Sequence, residues 1–288
     1  MEKTHSTIKL VECPRDAMQG WPHFIPTDKK IQYINALLQV GFDTLDFGSF
    51  VSPKLIPQMA DTATVLQGLN LAGTKTKLLA IVANTRGAEQ AVAFDEITYL
   101  GFPFSVSPTF QQRNTNSTME QSLLRVQKIQ ELCLQHHKKL VIYISMGFGN
   151  PYGDAYTEAI VLYWVAKMVA LGIDIISIAD TVGLATGIQI KGIIQTIIPA
   201  YPGIEIGVHL HATSSNWKHK LDAALEAGCL RFDGALKGIG GCPMAGDTLV
   251  GNMDTELMIP YFIQQNKLFA LNLQALQASS ILASKIFV

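Results

Sequence analysis

Charge is scarce in this sequence. Asp, Glu, Lys and Arg make up 16% of its 288 residues, and 22 basic against 23 acidic side chains leave a formal net charge of −1. No cluster of Lys and Arg occurs, which argues against nucleic acid or an anionic membrane surface as a partner. Cysteine is sparse too: Cys13, Cys133, Cys229 and Cys242 lie far apart with no CxxC, so neither a zinc ribbon nor a disulfide scaffold is indicated. An uncharged apolar run of about 20 residues, enough to span a bilayer, is missing. The longest candidate, Ala159 to Ala179, is interrupted by Lys167 and Asp174, and Met1 to Leu10 carries no signal-peptide core. Nor does GxGxxG or GxxxxGK[ST] follow any strand-like run, which removes the usual nucleotide-binding signatures. What remains is 48% hydrophobic, too apolar for disorder. A soluble, cytoplasmic chain forming one domain over 1–288 is expected, with its apolar excess inside.

Short β-rich runs recur at Ile8–Cys13, Thr44–Ser49, Lys77–Val82, Ile97–Val106, Leu140–Ser145, Asp174–Ala179, Glu205–His211 and Leu230–Leu236. Most are continuous rather than alternating, the pattern of strands covered on both faces. Helical stretches separate them. Thr27 is placed as the cap of Asp28–Val40, Thr118–His137 repeats apolar residues at helical spacing, and Gly172 and Gly228 stop Thr157–Leu171 and Ser215–Ala227. Eight such β/α units predict a (β/α)8 TIM barrel with its active site at the C-terminal face of the parallel strands, and C-terminal helices from about residue 254. An open doubly wound sheet is the competing fold.

The unusual polar residues gather at or just past the carboxyl ends of these runs. They are Arg15 and Asp16, Asp46 and Ser49, Asn84, Asp180, His209 and His211, then Cys242 and Asn252. In Val208-His209-Leu210-His211 the two imidazoles point the same way on a strand, about 7 Å apart. They make either a metal platform or a hydrogen-bonded polar pair. A closed barrel would bring Asp16, His209, His211 and Asn252 together. Two nitrogens and two oxygens suit Mg2+ or Mn2+ better than tetrahedral zinc. Arg15 either stabilises a developing anion or forms a salt bridge at the barrel end. Asp180 either orients an imidazole or caps a helix. Cys242, among glycines, sits either in a mobile loop over substrate or as an inert hydrophobe. The other cysteines are assigned to the core, the three Trp to packing, and His136-His137-Lys138-Lys139 to a solvated helix end.

Three segments carry a family resemblance. Val11-Glu12-Cys13-Pro14-Arg15-Asp16-Ala17-Met18-Gln19, Ser49-Phe50-Val51-Ser52-Pro53-Lys54 with Pro57-Gln58-Met59, and Gly240-Gly241-Cys242-Pro243 resemble the 3-hydroxy-3-methylglutaryl-CoA lyase family, over about Val11 to Glu256. The last two separate the lyases from isopropylmalate and homocitrate synthases. The resemblance implies metal ligands at Asp16, His209, His211 and Asn252. It places catalytic residues at Arg15, Asp46, Asp180, His209, His211 and Cys242, and substrate contacts at Arg15, Gln19, Ser49 and Asn84. It further implies a Mg2+ or Mn2+ cofactor, an acyl-CoA substrate cleaved to acetyl-CoA and acetoacetate in leucine degradation and ketone-body metabolism, and a homodimer. The chain departs from the family pattern at Asp46 (usually glutamate), Ala212 (aspartate), Asn150 (cysteine) and Pro108 (an acidic residue), and its Cys242–Asn252 loop is one residue longer. A relative acting on another branched 3-hydroxyacyl-CoA, a condensing synthase and a barrel without catalysis are the alternatives. Retention of every proposed ligand argues against the last.

Overall fold

Eight parallel strands close into one barrel in the order β1-β2-β3-β4-β5-β6-β7-β8. This computed structural model describes residues 7–241, 250–268 and 270–288. The strands are β1 (Lys9–Glu12), β2 (Thr44–Ser49), β3 (Lys77–Ile81), β4 (Ile97–Ser105), β5 (Lys139–Ser145), β6 (Ile175–Ala179), β7 (Glu205–His209) and β8 (Arg231–Gly234). The described helices are α1 (Pro14–Gln19), α2 (Thr27–Leu38), α3 (Thr62–Gln67), α4 (Thr85–Val92), α5 (Pro108–Thr115), α6 (Met119–Gln135), α7 (Glu158–Ala170), α8 (Gly187–Ala200), α9 (Trp217–Glu226), α10 (Thr255–Gln264) and α11 (Leu273–Ile286). None is long and apolar enough to cross a membrane. The open doubly wound sheet is therefore excluded.

The apolar runs are buried because each strand is covered twice. The larger core lies between sheet and helices, with Leu45, Phe47, Leu100, Phe102, Ile142, Ile176 and Phe232 facing outward into it. A smaller cluster, Leu79, Ile81, Tyr99, Val141, Tyr143 and Ile175, fills the barrel interior. One irregularity shapes the mouth. The β2–β3 register shifts between Asp46 and Gly48, so that Asp46 pairs with Leu79 and Ser49 with Ile81. The extra residue turns both Asp46 and Ser49 inward, where regular alternation would place them on opposite faces.

Helix starts follow side-chain chemistry. Thr118 and Thr186 form capping boxes with Gln121 and Gln189, and Asn84, Ser107 and Thr157 cap α4, α5 and α7. Thr27 is not a cap. The cap position is Pro26, and the Thr27 hydroxyl instead donates to Asp61 Oδ2 at 2.7 Å. The expected solvated helix end holds for His136 and His137, which are exposed. Lys138 departs from it: its ammonium is buried and donates to the Phe94 and Ile97 carbonyls, both at 2.7 Å. The three Trp pack against aromatic neighbours, Trp21 on Phe287, Trp164 on Phe104 and Trp217 on Tyr261. Strand β7 is shorter than expected and stops at His209. His211 lies beyond it, held by an antiparallel bridge to Asn252.

A buried ion pair locks the loops after β6 and β7. Lys220 on α9 donates to Asp180 Oδ2 at 2.6 Å and to the carbonyls of Gly183 (3.0 Å) and His211 (2.7 Å). Both side chains are almost fully buried, at 2% and 1% exposure. Removing one partner strands the other charge in the interior, which costs about 3–5 kcal/mol. Lys220→Ala should therefore lower unfolding free energy by roughly that amount in urea titrations, whereas Lys218→Ala, which breaks the exposed Lys218–Asp222 pair, should change it by less than about 1 kcal/mol.

Candidate active site

The carboxyl ends of the strands open into a cavity of about 670 Å3, lined among others by Arg15, Asp16, Gln19, Ser49, Asn84, His209 and His211. Barrel closure assembles it. Pairing of β1 with β8 (Val11 opposite Asp233, Glu12 opposite Gly234) brings α1, which directly follows β1, beside the ends of β7 and β8. Asp16, His209 and His211 each place one donor atom within 4.8 Å of the others.

Asp16 is the hub. Its Oδ1 accepts from Arg15 Nη1 (2.9 Å) and Gln19 Nε2 (2.6 Å), and its Oδ2 accepts from Asn252 Nδ2 (2.7 Å). Burial opposes its ionisation, but Arg15, the two imidazoles and the Asn252 bond outweigh burial and hold its pKa at about 2. Gly240, at φ +117°, is needed for this approach, since a Cβ there would lie 2.4 Å from Asn252 Nδ2 and 3.0 Å from the Asp16 carbonyl.

Arg15 is clamped from behind by Asp46. Its Nε lies 3.0 Å and its Nη2 2.5 Å from Asp46 Oδ2. Burial pushes Asp46 up to about 6 even beside that guanidinium. Of the five N–H groups of an arginine, the bonds to Asp46 and Asp16 use three, so that among the described residues one on each Nη remains for a ligand oxygen. Asp46 itself does not line the cavity, so it positions Arg15 rather than meeting substrate.

The two imidazoles are oriented alike and tuned apart. His209 Nδ1 faces Asp233 Oδ2 at 3.3 Å and His211 Nδ1 faces the Val250 carbonyl at 2.9 Å. Each ring then carries its proton on Nδ1, and the two Nε2 lone pairs confront each other at 3.3 Å. Burial disfavours charge on His209, yet the bond to Asp233 and that carboxylate's charge raise its pKa above the ordinary value. Burial and the neighbouring His209 push His211 down to about 4. Asn252 Oδ1 is buried without a hydrogen-bond partner among the described residues. Two opposed lone pairs, an orphaned amide oxygen and a carboxylate are mutually unfavourable alone and become complementary around a cation. The donor set fits a divalent ion.

One expected site residue stands elsewhere. Asp180 lies against Lys220 and accepts from the Ala185 amide (2.9 Å), so it touches neither imidazole; the carboxylate that does is Asp233. Asn84 lines the cavity while its Oδ1 caps α4. Cys242 lies outside the described residues. Of the family departures, Pro108 opens α5, Asn150 accepts from the Tyr152 and Asp154 amides, and Ala212 only pairs with the Gly251 carbonyl. Asp233, Lys220 and Cys13 escaped sequence reasoning. The signal for Asp233 was present, because Arg231-Phe232-Asp233 puts two charges at alternate positions of a buried strand.

A closed (β/α)8 barrel with a cation-ready cluster at the carboxyl ends of its strands is the class of protein these features define. Comparison with known proteins narrows it. The HMGL-like family model matches residues 8–282, and the chain belongs to that family. It is 33% identical over 258 residues to a cytoplasmic 3-hydroxy-3-methylglutaryl-CoA lyase of Rattus norvegicus, covering 88% of this chain and 73% of that one. It is 32% identical over 256 residues to a mitochondrial hydroxymethylglutaryl-CoA lyase of Mus musculus, covering 88% and 77%. Among solved structures, an HMG-CoA lyase from Acinetobacter baumannii in complex with coenzyme A and 3-methylmalate superposes with a TM-score of 0.91 at 31% identity, covering 100% of this chain and 93% of that one.

A cation can bind between the imidazoles only after any proton on His209 has left. Mn2+ affinity measured calorimetrically should therefore fall about tenfold per unit as pH drops below the raised His209 pKa. Asp233→Asn removes the group that raises it. Loss of affinity should then begin at lower pH, and binding at pH 8 should weaken about 10- to 100-fold. A pH-independent affinity would contradict the assignment of His209 as a ligand.

Proposed function

We propose that this protein is a lyase that cleaves 3-hydroxy-3-methylglutaryl-CoA to acetyl-CoA and acetoacetate. One observation carries the reading: Asp16, His209, His211 and the orphaned Asn252 Oδ1 converge beside an Arg15 with two N–H groups still free. Membership of the HMGL-like family and likeness to lyases over nearly the whole chain support it. The 670 Å3 cavity is of the size that holds a small-molecule substrate.

Asp16, His209, His211 and Asn252 would hold Mg2+ or Mn2+, and the bound ion supplies Lewis-acid polarisation of the substrate's tertiary hydroxyl and free carboxylate. The chain's own residues do the rest. Gln19 and Arg15 fix the Asp16 carboxylate, Asp233 and Val250 fix the two rings, and Lys220 holds the His211 backbone. In a retro-Claisen cleavage a base takes the hydroxyl proton, and the oxygen collapses to the ketone of acetoacetate as the carbon–carbon bond breaks. Negative charge develops on the thioester oxygen of the departing acetyl unit, and a proton delivered to its carbon completes acetyl-CoA. The two free Arg15 N–H groups meet that oxygen in a largely buried setting, where a fixed donor contributes most. Asp46 keeps the guanidinium from swinging to another carboxylate. The same reading takes the whole chain as one catalytic unit, cytoplasmic, and homodimeric through apolar residues that α11 leaves exposed, such as Leu273 and Ile281.

Purified protein with 3-hydroxy-3-methylglutaryl-CoA and Mg2+ or Mn2+ should release acetoacetate in a coupled assay, and chelation should abolish it. Arg15→Met should lower kcat by about 10² or more, on the scale of losing an oxyanion donor. Absence of acetoacetate with every divalent ion, together with condensation of acetyl-CoA and a 2-oxo acid, would overturn the lyase reading in favour of a synthase.

A further inference from the structure

We propose that Cys13, His209 Nδ1 and Asp233 form a second cation site on the underside of His209, one that takes a thiophilic divalent ion such as Zn2+ or Co2+ and excludes the ion above. The proposal does not depend on the lyase reading.

One donor atom of each residue lies within 4.8 Å of the other two. The strands dictate this meeting. Asp233 is opposite His209 in the β7–β8 pair and opposite Val11 in the β1–β8 pair, and the Cys13 amide continues the β1 ladder by donating to the Gly234 carbonyl at 2.9 Å. Cys13 and Asp233 are 1% and 2% exposed. The group is short of partners. Among the described residues Asp233 Oδ1 has no hydrogen bond, the nearby Tyr143 hydroxyl has none, and the Cys13 thiol has only a 3.8 Å contact to the Val11 carbonyl. The buried Arg231 guanidinium, two residues before Asp233, favours the charge on that carboxylate. Tyr143 also sets its ring edge-on to His209, 5.9 Å between centroids. A sulfur, a nitrogen and a carboxylate oxygen match borderline-soft ions, whereas the upper cluster of two nitrogens and two oxygens matches harder ones.

The two sites share one imidazole and one proton. An ion on the underside displaces the thiol proton of Cys13 to solvent. It also requires the His209 N–H to move from Nδ1 to Nε2, and nothing is oxidised or reduced. The relocated N–H donates to His211 Nε2, 3.3 Å away, which keeps its own Nδ1 proton on the Val250 carbonyl. In that tautomer His209 has no lone pair for the upper cluster. A thiophilic ion thus empties the upper cluster through His209.

Cobalt titration of the full chain tests this. A thiolate-to-cobalt charge-transfer band should appear and saturate at one ion per chain. It should be smaller by roughly tenfold or more in Cys13→Ser, persist in Cys242→Ser, and fade when excess Mg2+ restores the upper site. X-ray absorption of the zinc-loaded parent protein should show one sulfur neighbour. Should Cys13→Ser melt earlier than the parent, Cys13→Ala and the sulfur count decide. No band in the parent, a band that survives loss of Cys13, a band lost with Cys242, or zinc without sulfur would each overturn the proposal.

Discussion

Closure of the sheet between β1 and β8 is the constraint on which the site depends. Four consecutive pairs, from Lys9 opposite Arg231 to Glu12 opposite Gly234, join strands more than 200 positions apart. Without that seam Asp16 and the two histidines belong to opposite edges of a sheet. With it, α1 starts one residue after the seam and delivers Arg15 and Asp16 to the ends of β7 and β8. Strand pairing is regular and obligatory, since every backbone N–H and C=O in the buried ladder needs its partner. The placement of the polar cluster is therefore fixed by the same hydrogen bonds that hold the barrel closed.

Around that seam the scarcity of charge acquires a meaning. Buried charges are few, and those nearest the site are paired: Asp46 with Arg15, Asp180 with Lys220, Asp233 with His209. Such pairs offset their desolvation only when geometry and hydrogen bonds are complete. Among the described residues several of the groups left incomplete adjoin His209, while others, such as the Tyr33 hydroxyl and Gln130 Oε1, lie elsewhere. Asp233 meets His209 Nδ1 through its other oxygen, Asn252 meets Asp16 through its Nδ2, and the Nε2 atoms of His209 and His211 face each other. Unpaired polar atoms beside two facing imidazoles mark a place that a cation completes. His209 ends a strand, Arg15 and Asp16 open α1, and His211 is tied to α9 through Lys220 and to Asn252 by a bridge.

Much of this was legible in the residues. The span of β2 was read to the residue, and the chemistry at strand ends identified Arg15, Asp16, His209, His211 and Asn252, because polar residues ending apolar runs stand out against a low-charge background. Less visible was anything set by a partner distant in sequence. For Asp180 the sequence offers an imidazole or a helix cap, because nothing local reveals that Lys220, forty residues on, donates to it. Asp233 was absorbed into an apolar run, since its inward orientation follows from register with β7 and not from its neighbours. Asp46 was seen, but its place behind Arg15 depends on the irregularity before Gly48. Cys13 looked like core and is core, yet it borders His209.

The central claim is that His209 and His211 present two nitrogens to one cation. Electron spin-echo spectroscopy of the Mn2+-loaded protein reads this directly. Two coupled imidazole nitrogens are predicted, falling to one in His211→Ala; an echo modulated by no nitrogen at all, with Mn2+ bound at one per chain, would contradict it.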